Sequence, residues 1–272
     1  MSHDFTDIFF IKNGKFVETS TKISSSDKNI SVYDVVRIIS GKALFIDDHI
    51  ERLNKSIQLT GINFTISDTE KIKRQIEELC SKNQKFFGNI EIRLTQLSTE
   101  EIEFIIGFIS HKYPSPLDYI NGVKVSLLYC ERKNPNAKVK NTEVREKANK
   151  IIKQKGVYEI LLVNEFHQLT EGSRSNVFFI KNNTLVTAPL QYVLPGITRK
   201  YVIEIIKNTG LQLIEKLILI EELSTFDAVF ICGTSPGVLP VAQIDNNTFD
   251  VNNAVLRKII FEFNNIVSKN MS

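Results

Sequence analysis

Short runs of apolar residues, many of them alternating with polar ones, predict β-strands throughout the chain. The first two runs flank Asn13-Gly14 and predict a β-hairpin, because this dipeptide readily adopts the positive φ angles of a two-residue turn. A second hairpin is predicted around Ser40-Gly41. Further strands are predicted at residues 89–94, 102–108, 123–129, 158–163, 177–180, 184–187 and 228–232.

Apolar residues at spacings of three and four predict amphipathic helices between these strands. The series from Ile46 to Ile57 predicts a helix that presents His49 and Arg52 on a neighbouring face. Other helices are predicted around residues 72–79, 141–155, 198–209 and 251–267. Because helices and strands are mixed along the chain, the pattern favours an α+β fold.

Proline and glycine between residues 111 and 122 interrupt the regular pattern and predict a domain boundary near residue 115. The length of 272 residues also exceeds the usual size of one domain. We therefore predict a smaller N-terminal α+β domain at 1–115, a linker at 116–122 and a larger mixed C-terminal domain at 123–272.

The composition excludes several classes of protein. With 42% hydrophobic and 24% charged residues the chain is typical of globular proteins, and its net charge of +3 comes from scattered basic residues, which argues against a nucleic-acid partner. No apolar run approaches membrane-spanning length, and the N-terminus lacks the pattern of a secretory signal. Cys80, Cys130 and Cys232 have no close spacing, which predicts buried thiols in the reducing cytoplasm and no metal site.

Two turns have the character of anion-binding sites. The segments PGITRK at 195–200, before a predicted helix, and CGTSPG at 232–237, after a predicted strand, each offer backbone N–H groups and a threonine hydroxyl. Either segment alone is a weak signal, because similar turns are common caps.

Seven segments along the chain, taken in order, resemble the class IV aminotransferases. They are VYDVVRI at 32–38, DDHIERLNKS at 47–56, a lysine before a helix, YEILLVN at 158–164, LTEGSRSNVFFIK at 169–181, LPGITRK at 194–200 and GTSPGVLPV at 233–241. This family contains branched-chain and D-amino acid aminotransferases and aminodeoxychorismate lyase. The resemblance implies a two-lobed fold-type IV enzyme that uses pyridoxal 5'-phosphate, forms a homodimer and builds its pocket between the lobes.

The resemblance also assigns residues to the cofactor. Arg52, in the family's H-x-x-R-L motif, would bind the phosphate with its planar guanidinium. Glu171 would face the pyridine nitrogen and keep it protonated. Ser173 and Asn176 would support the ring or the phosphate, and the remaining phosphate contacts would come from Gly196, Ile197, Thr198, Gly233 and Thr234.

The lysine that would form the Schiff base is either Lys138 or Lys140. The family's K-x-x-N pattern matches Lys138 to Asn141, and the distance from Asn141 to Tyr158 then needs no gap, whereas Lys140 would require a deletion. We therefore predict Lys138 as the nucleophile and the acid/base that moves the substrate proton.

The resemblance also implies residues near the substrate, and two features there depart from the family's pattern. Tyr33 and Arg37 match the family's Y-E-V-x-R segment, near the substrate. Gln96 stands where D-amino acid aminotransferases and the lyases place an arginine, which weakens a D-amino acid assignment. The stretch SSSDKNIS at 24–31 also departs from the F-G-D-G-like segment of relatives.

The predicted function is transfer of an amino group between an amino acid and a 2-oxo acid. An aminodeoxychorismate lyase would use the same lysine, glutamate and phosphate contacts but would release pyruvate. The alternative from another class of function is a non-catalytic homologue. Such a protein would keep the fold only to bind a metabolite or a partner protein, since fold alone does not fix function.

Overall fold

The computed structural model describes residues 5–20, 29–99, 101–132, 135–139 and 142–272. Contacts within the chain divide it into two units. Unit 1 comprises Met1–Lys112, Ala137–Lys140 and Lys269–Ser272, and unit 2 comprises Tyr113–Asn136 and Asn141–Ser268. The main division lies close to the boundary predicted near residue 115. Residues 137–140, which we assigned to the C-terminal domain, belong to unit 1 instead.

Among its described residues, unit 1 contains one sheet and two helices. Its strands are β1 (Phe9–Lys12), β2 (Lys15–Glu18), β3 (Ser31–Ile39), β4 (Lys42–Ala43), β5 (Gly88–Gln96) and β6 (Ile102–Ile109), and its helices are α1 (Ile46–Leu59) and α2 (Thr69–Lys82). The strand order is β2-β1-β6-β5-β3-β4, and all pairs are antiparallel.

Both predicted hairpins of unit 1 are confirmed. Asn13 and Gly14 have φ angles of 48° and 80°, and Ser40 and Gly41 have 50° and 81°, so both turns place two residues in the left-handed region. The predicted helix at residues 46–57 is also confirmed. It packs its apolar side, together with α2, against the face of the sheet that carries the alternate residues Val32, Val36, Ile90, Ile92 and Leu94.

In the part that the structure describes, unit 2 contains a ten-stranded mixed sheet and four α-helices, besides short 3-10 helices at Leu190–Tyr192 and Ile220–Thr225. Its strands are β7 (Val123–Tyr129), β8 (Glu159–Val163), β9 (Gln168–Gly172), β10 (Asn176–Lys181), β11 (Thr184–Thr187), β12 (Gln212–Glu215), β13 (Ile218–Leu219), β14 (Ala228–Gly233), β15 (Gly237–Ile244) and β16 (Asn247–Thr248). The helices are α3 (Pro116–Asn121), α4 (Thr142–Lys155), α5 (Ile197–Asn208) and α6 (Ala254–Met271), whose last residues group with unit 1. The strand order is β12-β11-β10-β14-β15-β7-β8-β9-β13, with β16 paired to β15.

The predicted linker at 116–122 is wrong, because most of it forms helix α3 within unit 2. Pro116 occupies the first turn, where its missing N–H costs nothing, and Ser115 and Asp118 form a capping box. Gly122 ends the helix with a φ angle of 70°. The proline and glycine that suggested a linker are therefore the start and stop signals of a helix.

Two of the three cysteines are buried, as predicted, but Cys130 is only partly buried. Burial raises the pKa of the Cys80 thiol to about 11 and that of the Cys232 thiol to about 12, so both stay protonated near neutral pH. In the described parts of the chain, no group of His, Cys, Asp and Glu side chains could hold a metal ion. None of the described helices is long and apolar enough to cross a membrane.

Candidate active site

A buried ionic network in unit 1 surrounds Asp34. Asp34 lies on β3 among the alternate residues that face α1, and its carboxylate is fully buried. Arg52 donates to it from Nε at 2.8 Å and from Nη2 at 2.6 Å. His49 contributes Nδ1, 2.9 Å from the same carboxylate. His49 and Arg52 are three residues apart on α1, so one turn of the helix presents both side chains to one acceptor.

The charges in this network are fixed by burial and pairing. Burial alone would raise the pKa of Asp34, but the charge of Arg52 and the hydrogen bonds from Arg52 and His49 outweigh burial and hold that pKa below the ordinary 3.8. Burial lowers the pKa of His49 below its ordinary 6.5, against the opposing effect of Asp34. An ionised carboxylate only accepts hydrogen bonds, so the neutral imidazole carries its proton on Nδ1 and donates it to Asp34.

Lys138 lies in unit 1 with its backbone held on both sides. Its N–H donates to Ser56 Oγ at 3.1 Å, and its carbonyl accepts from the Tyr33 N–H at 3.1 Å. The Lys138 Nζ is 5.1 Å from the centroid of the Tyr33 ring. The alternative nucleophile Lys140 and the motif's Asn141 lie outside the described residues, so the assignment of Lys138 stays a prediction.

The three predicted substrate residues do not share one face of the sheet. Tyr33 pairs with Arg93 across β3 and β5, and Arg37 lies four residues further along β3, on the same face as Tyr33. Gln96 is three residues from Arg93 and therefore alternates to the opposite face. Residues 24–28 of the divergent SSSDKNIS stretch lie outside the described residues.

Glu171 is buried at the end of β9 in unit 2. One carboxylate oxygen lies 2.9 Å from Arg132 Nε, and the other accepts from the Leu194 N–H at 3.0 Å. Arg132 also donates to the Ser173 carbonyl at 2.9 Å, so it holds the turn that follows Glu171. Nothing in the sequence pattern singled out Arg132, which lies in an irregular segment far from TEGSRSN along the chain.

A second buried carboxylate, that of Glu159, shapes the TEGSRSN turn. It accepts from the hydroxyls of Ser173 at 2.7 Å and Ser175 at 3.1 Å and from the Arg174 N–H at 3.1 Å. The Ser173 hydroxyl thus donates its proton to Glu159, and the contact with the cofactor that the resemblance implies stays a prediction. The YEILLVN segment was read as a strand and as a family segment, with no role assigned to Glu159, which is why Glu159 was missed.

The predicted phosphate-binding turn lies at the N-terminus of α5, also in unit 2. Gly196 is the N-cap residue, no side chain caps the helix, and Ile197 and Thr198 follow as buried residues of its first turn. Asn176 donates to the Leu194 carbonyl at 3.0 Å, and a Cβ at position 196 would collide with its side chain. Any other residue at position 196 would therefore have to displace the Asn176 side chain.

The second predicted phosphate-binding turn adjoins the first through β10. Asn176 pairs with Cys232 on β14, and Gly233 and the half-buried Thr234 follow at the start of the turn that leads to β15. Unit 2 thus brings Glu171, Asn176 and both turns together.

Comparison with known proteins identifies the class of the chain. The family model described as Amino-transferase class IV matches residues 31–244, and the chain belongs to this family. The D-alanine aminotransferase of Bacillus licheniformis is 30% identical over 256 residues, which cover 87% of this chain and 88% of the relative. A putative branched-chain-amino-acid aminotransferase of Methanocaldococcus jannaschii is 29% identical over 280 residues, with 94% and 96% coverage.

The fold agrees with that family. The branched-chain amino acid aminotransferase from Escherichia coli has a TM-score of 0.83 to this chain at 19% identity, covering 97% of this chain and 96% of the other. The predicted fold-type IV architecture is therefore confirmed. Enzymes of this class use pyridoxal 5'-phosphate, as predicted from the motifs.

The residues present fit this cofactor. The N-terminus of α5, with its glycine N-cap and no capping side chain, suits a phosphate group, because helix N-termini present N–H groups and a positive dipole end to anions. The buried carboxylate of Glu171 suits a protonated pyridine nitrogen. Arg52 supplies a guanidinium whose plane is already fixed by Asp34.

We predict that replacing Asp34 with asparagine lowers the free energy of unfolding by about 3 kcal/mol near neutral pH, because it leaves the buried Arg52 charge without its partner. The folded-state pKa of Asp34 lies below 3.8, so its stabilisation is complete above that value and is lost as the pH falls towards the folded-state pKa. Urea unfolding should show a constant difference between wild type and variant from about pH 8 to 5, and a smaller difference below about pH 4.

The control for this prediction is Asp47→Asn, which removes an exposed carboxylate from the same unit and should cost less than about 1 kcal/mol. A difference between wild type and Asp34→Asn that grows on acidification would contradict the assigned charge state.

Proposed function

We propose that this class IV enzyme transfers an amino group between an amino acid and a 2-oxo acid, with Lys138 as the residue that carries the cofactor and moves the proton. The observation that supports the proposal best is the fixed backbone of Lys138, whose amine lies over the Tyr33 ring in the same unit as the buried Arg52. Tyr33 and Arg52 both belong to motifs that the chain shares with the family.

The phosphate contacts are proposed residue by residue from the family motifs, within each unit taken by itself. Arg52 makes charge-assisted hydrogen bonds from a guanidinium that Asp34 holds in one orientation. The N–H groups of Ile197 and Thr198, the hydroxyl of Thr198, and the turn at Gly233 and Thr234 supply further donors.

Proton transfer is proposed for Lys138, with Glu171 as the electrostatic partner of the ring. Bound pyridoxal 5'-phosphate supplies an aldehyde that receives the amino group and a ring that delocalises negative charge. Glu171 keeps the ring nitrogen protonated, and Arg132 holds the Glu171 carboxylate in place. The Lys138 Nζ would remove the α-proton of the substrate and hold it as the general acid/base of the transfer.

An amino-donor screen tests the aminotransferase activity. The purified holoenzyme is mixed with single D- and L-amino acids without a 2-oxo acid, and its absorbance is followed. We expect at least one neutral amino acid, with D-alanine and the L-branched-chain amino acids tested first, to convert the cofactor to its amine form. Addition of a 2-oxo acid should then restore the original spectrum.

The lyase alternative predicts a different outcome in the same assay. Pyruvate release from aminodeoxychorismate, without conversion of the cofactor by any amino acid, would contradict the aminotransferase proposal. A protein that neither binds pyridoxal 5'-phosphate nor responds to any donor would favour the non-catalytic alternative.

A pair of variants separates the proposed roles of Arg52 and Glu171. Arg52→Lys keeps the charge beside Asp34 but loses the planar fork, so we expect cofactor affinity to fall roughly tenfold, equivalent to about 1.4 kcal/mol. Glu171→Gln should largely keep affinity but slow the half-reaction roughly 100-fold, the scale of losing one electrostatic partner of a transition state. Fluorescence titration and stopped-flow absorbance measure the two quantities.

The control for the Arg52 variant is Arg74→Lys, since Arg74 lies on α2 outside the buried network. Equal losses of affinity in the Arg52 and Glu171 variants would contradict this division of roles.

We also propose a homodimer in the cytoplasm. The support is the family resemblance, in which partner subunits complete the pocket, together with free thiols of the kind that persist in a reducing compartment. Light scattering of the holoenzyme should give twice the mass of a single chain, and a fully active monomer would contradict the dimer.

A further inference from the structure

Ser56 joins the helix that carries Arg52 to the segment that carries Lys138. Its side chain is fully buried, one helical turn after Arg52, and its hydroxyl donates to the Arg52 carbonyl at 3.0 Å. The same oxygen accepts the N–H of Lys138 at 3.1 Å. A hydroxyl has one proton and two lone pairs, so Ser56 can make both hydrogen bonds at once.

We propose that Ser56 is a positioning residue that holds the backbone of Lys138 so that its amine reaches the cofactor aldehyde. This inference rests on the proposed function, because it takes Lys138 as the attachment lysine. It assigns to Ser56 a role in the covalent step and none in binding the phosphate or the ring.

Two hydrogen bonds fix the backbone of Lys138, and Ser56 accepts one of them. On the other side the Tyr33 N–H donates to the Lys138 carbonyl at 3.1 Å, and Val139 forms a β-bridge with Val32. The two hydrogen bonds engage the peptide groups that precede and follow the Lys138 Cα. They therefore fix the direction in which the long lysine side chain leaves the backbone, which β3 alone would not do.

The burial of Ser56 makes its hydrogen bond to Lys138 difficult to replace. Within unit 1 its side chain is inaccessible to solvent, and Val139 packs against the main apolar cluster. Loss of the hydroxyl would leave the Lys138 N–H facing a methyl group, and an unsatisfied N–H favours a shift of the backbone. A displacement of this kind matters most for bond formation, which needs the reacting atoms in close alignment.

Ser81 provides a matched control in the same unit. Its hydroxyl donates to the Glu77 carbonyl at 3.0 Å, the same bond to the preceding turn that Ser56 makes to Arg52. Ser81 is exposed on α2 and holds no lysine segment. A substitution that acts only through this helical bond should therefore have the same effect at both positions.

Two forms of the cofactor separate positioning of the lysine from general stability. When pyridoxal 5'-phosphate binds, Nζ of Lys138 forms a double bond to the aldehyde carbon, and the aldehyde oxygen leaves as water with the two amine hydrogens. Pyridoxamine 5'-phosphate has no aldehyde and cannot form this bond. The ratio of the two dissociation constants therefore measures how well the lysine is placed, whereas damage to the phosphate or ring contacts weakens both forms alike.

We expect Ser56→Ala to weaken binding of pyridoxal 5'-phosphate about tenfold, equivalent to about 1.4 kcal/mol, relative to binding of pyridoxamine 5'-phosphate. Ser81→Ala should change neither constant by more than about twofold. The nearly isosteric Ser56→Cys, whose sulfur is a weak acceptor, should shift the ratio in the same direction, which keeps the test valid if the alanine variant folds poorly. Equal weakening of both forms in the Ser56 variants would overturn the proposal.

Lys138→Ala distinguishes failure of this inference from failure of the proposed function. If Lys138 is the attachment lysine, Lys138→Ala abolishes the preference for the aldehyde form, and adding Ser56→Ala to it has no further effect on the ratio. If Lys138→Ala leaves the ratio unchanged, the attachment lysine is wrongly assigned and both proposals fail. If Lys138→Ala changes the ratio and neither Ser56 variant does, only the role of Ser56 is refuted.

Discussion

The buried carboxylate of Asp34 is the constraint on which the arrangement of unit 1 depends. An ionised group without solvent is tolerated only when charged and hydrogen-bonding partners surround it, and here Arg52 and His49 supply three donated bonds. This requirement fixes the rotation of α1 against β3. Once α1 is fixed, Ser56 one turn later faces the segment of Lys138, so a single charge pairing organises both a phosphate-binding candidate and the candidate nucleophile.

Unit 2 uses buried carboxylates in a similar way. Glu159 accepts several hydrogen bonds from the turn between β9 and β10 and has no proposed contact with substrate or cofactor. Glu171, a few residues away from that turn, is held by Arg132 and by the Leu194 N–H just before α5. Glu159 thus shapes the turn, and Glu171 next to it keeps a defined orientation. A fixed orientation is what an electrostatic partner of the cofactor ring requires.

Helices and strands with strong local sequence signals were predicted correctly. Predictions were wrong where the same residue type is common in two kinds of structure. Asn13-Gly14 and the apolar series from residue 46 to 57 were interpreted correctly, because a turn dipeptide and a helical period are local properties. Pro116 was interpreted as a linker signal although it starts helix α3, since proline is common both in linkers and in the first helical turn. Strand β15 was not predicted, and it contains Pro240, a residue that usually argues against a strand.

The candidate site was predictable only in part, because some of its residues are defined by long-range contacts. Family motifs pointed to Arg52, Glu171 and Lys138, but their neighbours Asp34, Ser56, Arg132 and Glu159 depend on contacts between segments far apart in the chain. The hydrophobic periodicity of a helix or strand carries no information about such contacts.

Reduction of the holoenzyme with borohydride, followed by mass spectrometry of its peptides, is the decisive measurement of which lysine carries the cofactor. Hydride addition converts the double bond between lysine and cofactor into a stable single bond and so marks the attachment residue. We predict that the cofactor mass is found on Lys138, the lysine whose backbone is held by Ser56 and Tyr33. A label on Lys140, or on a lysine elsewhere in the chain, would contradict it.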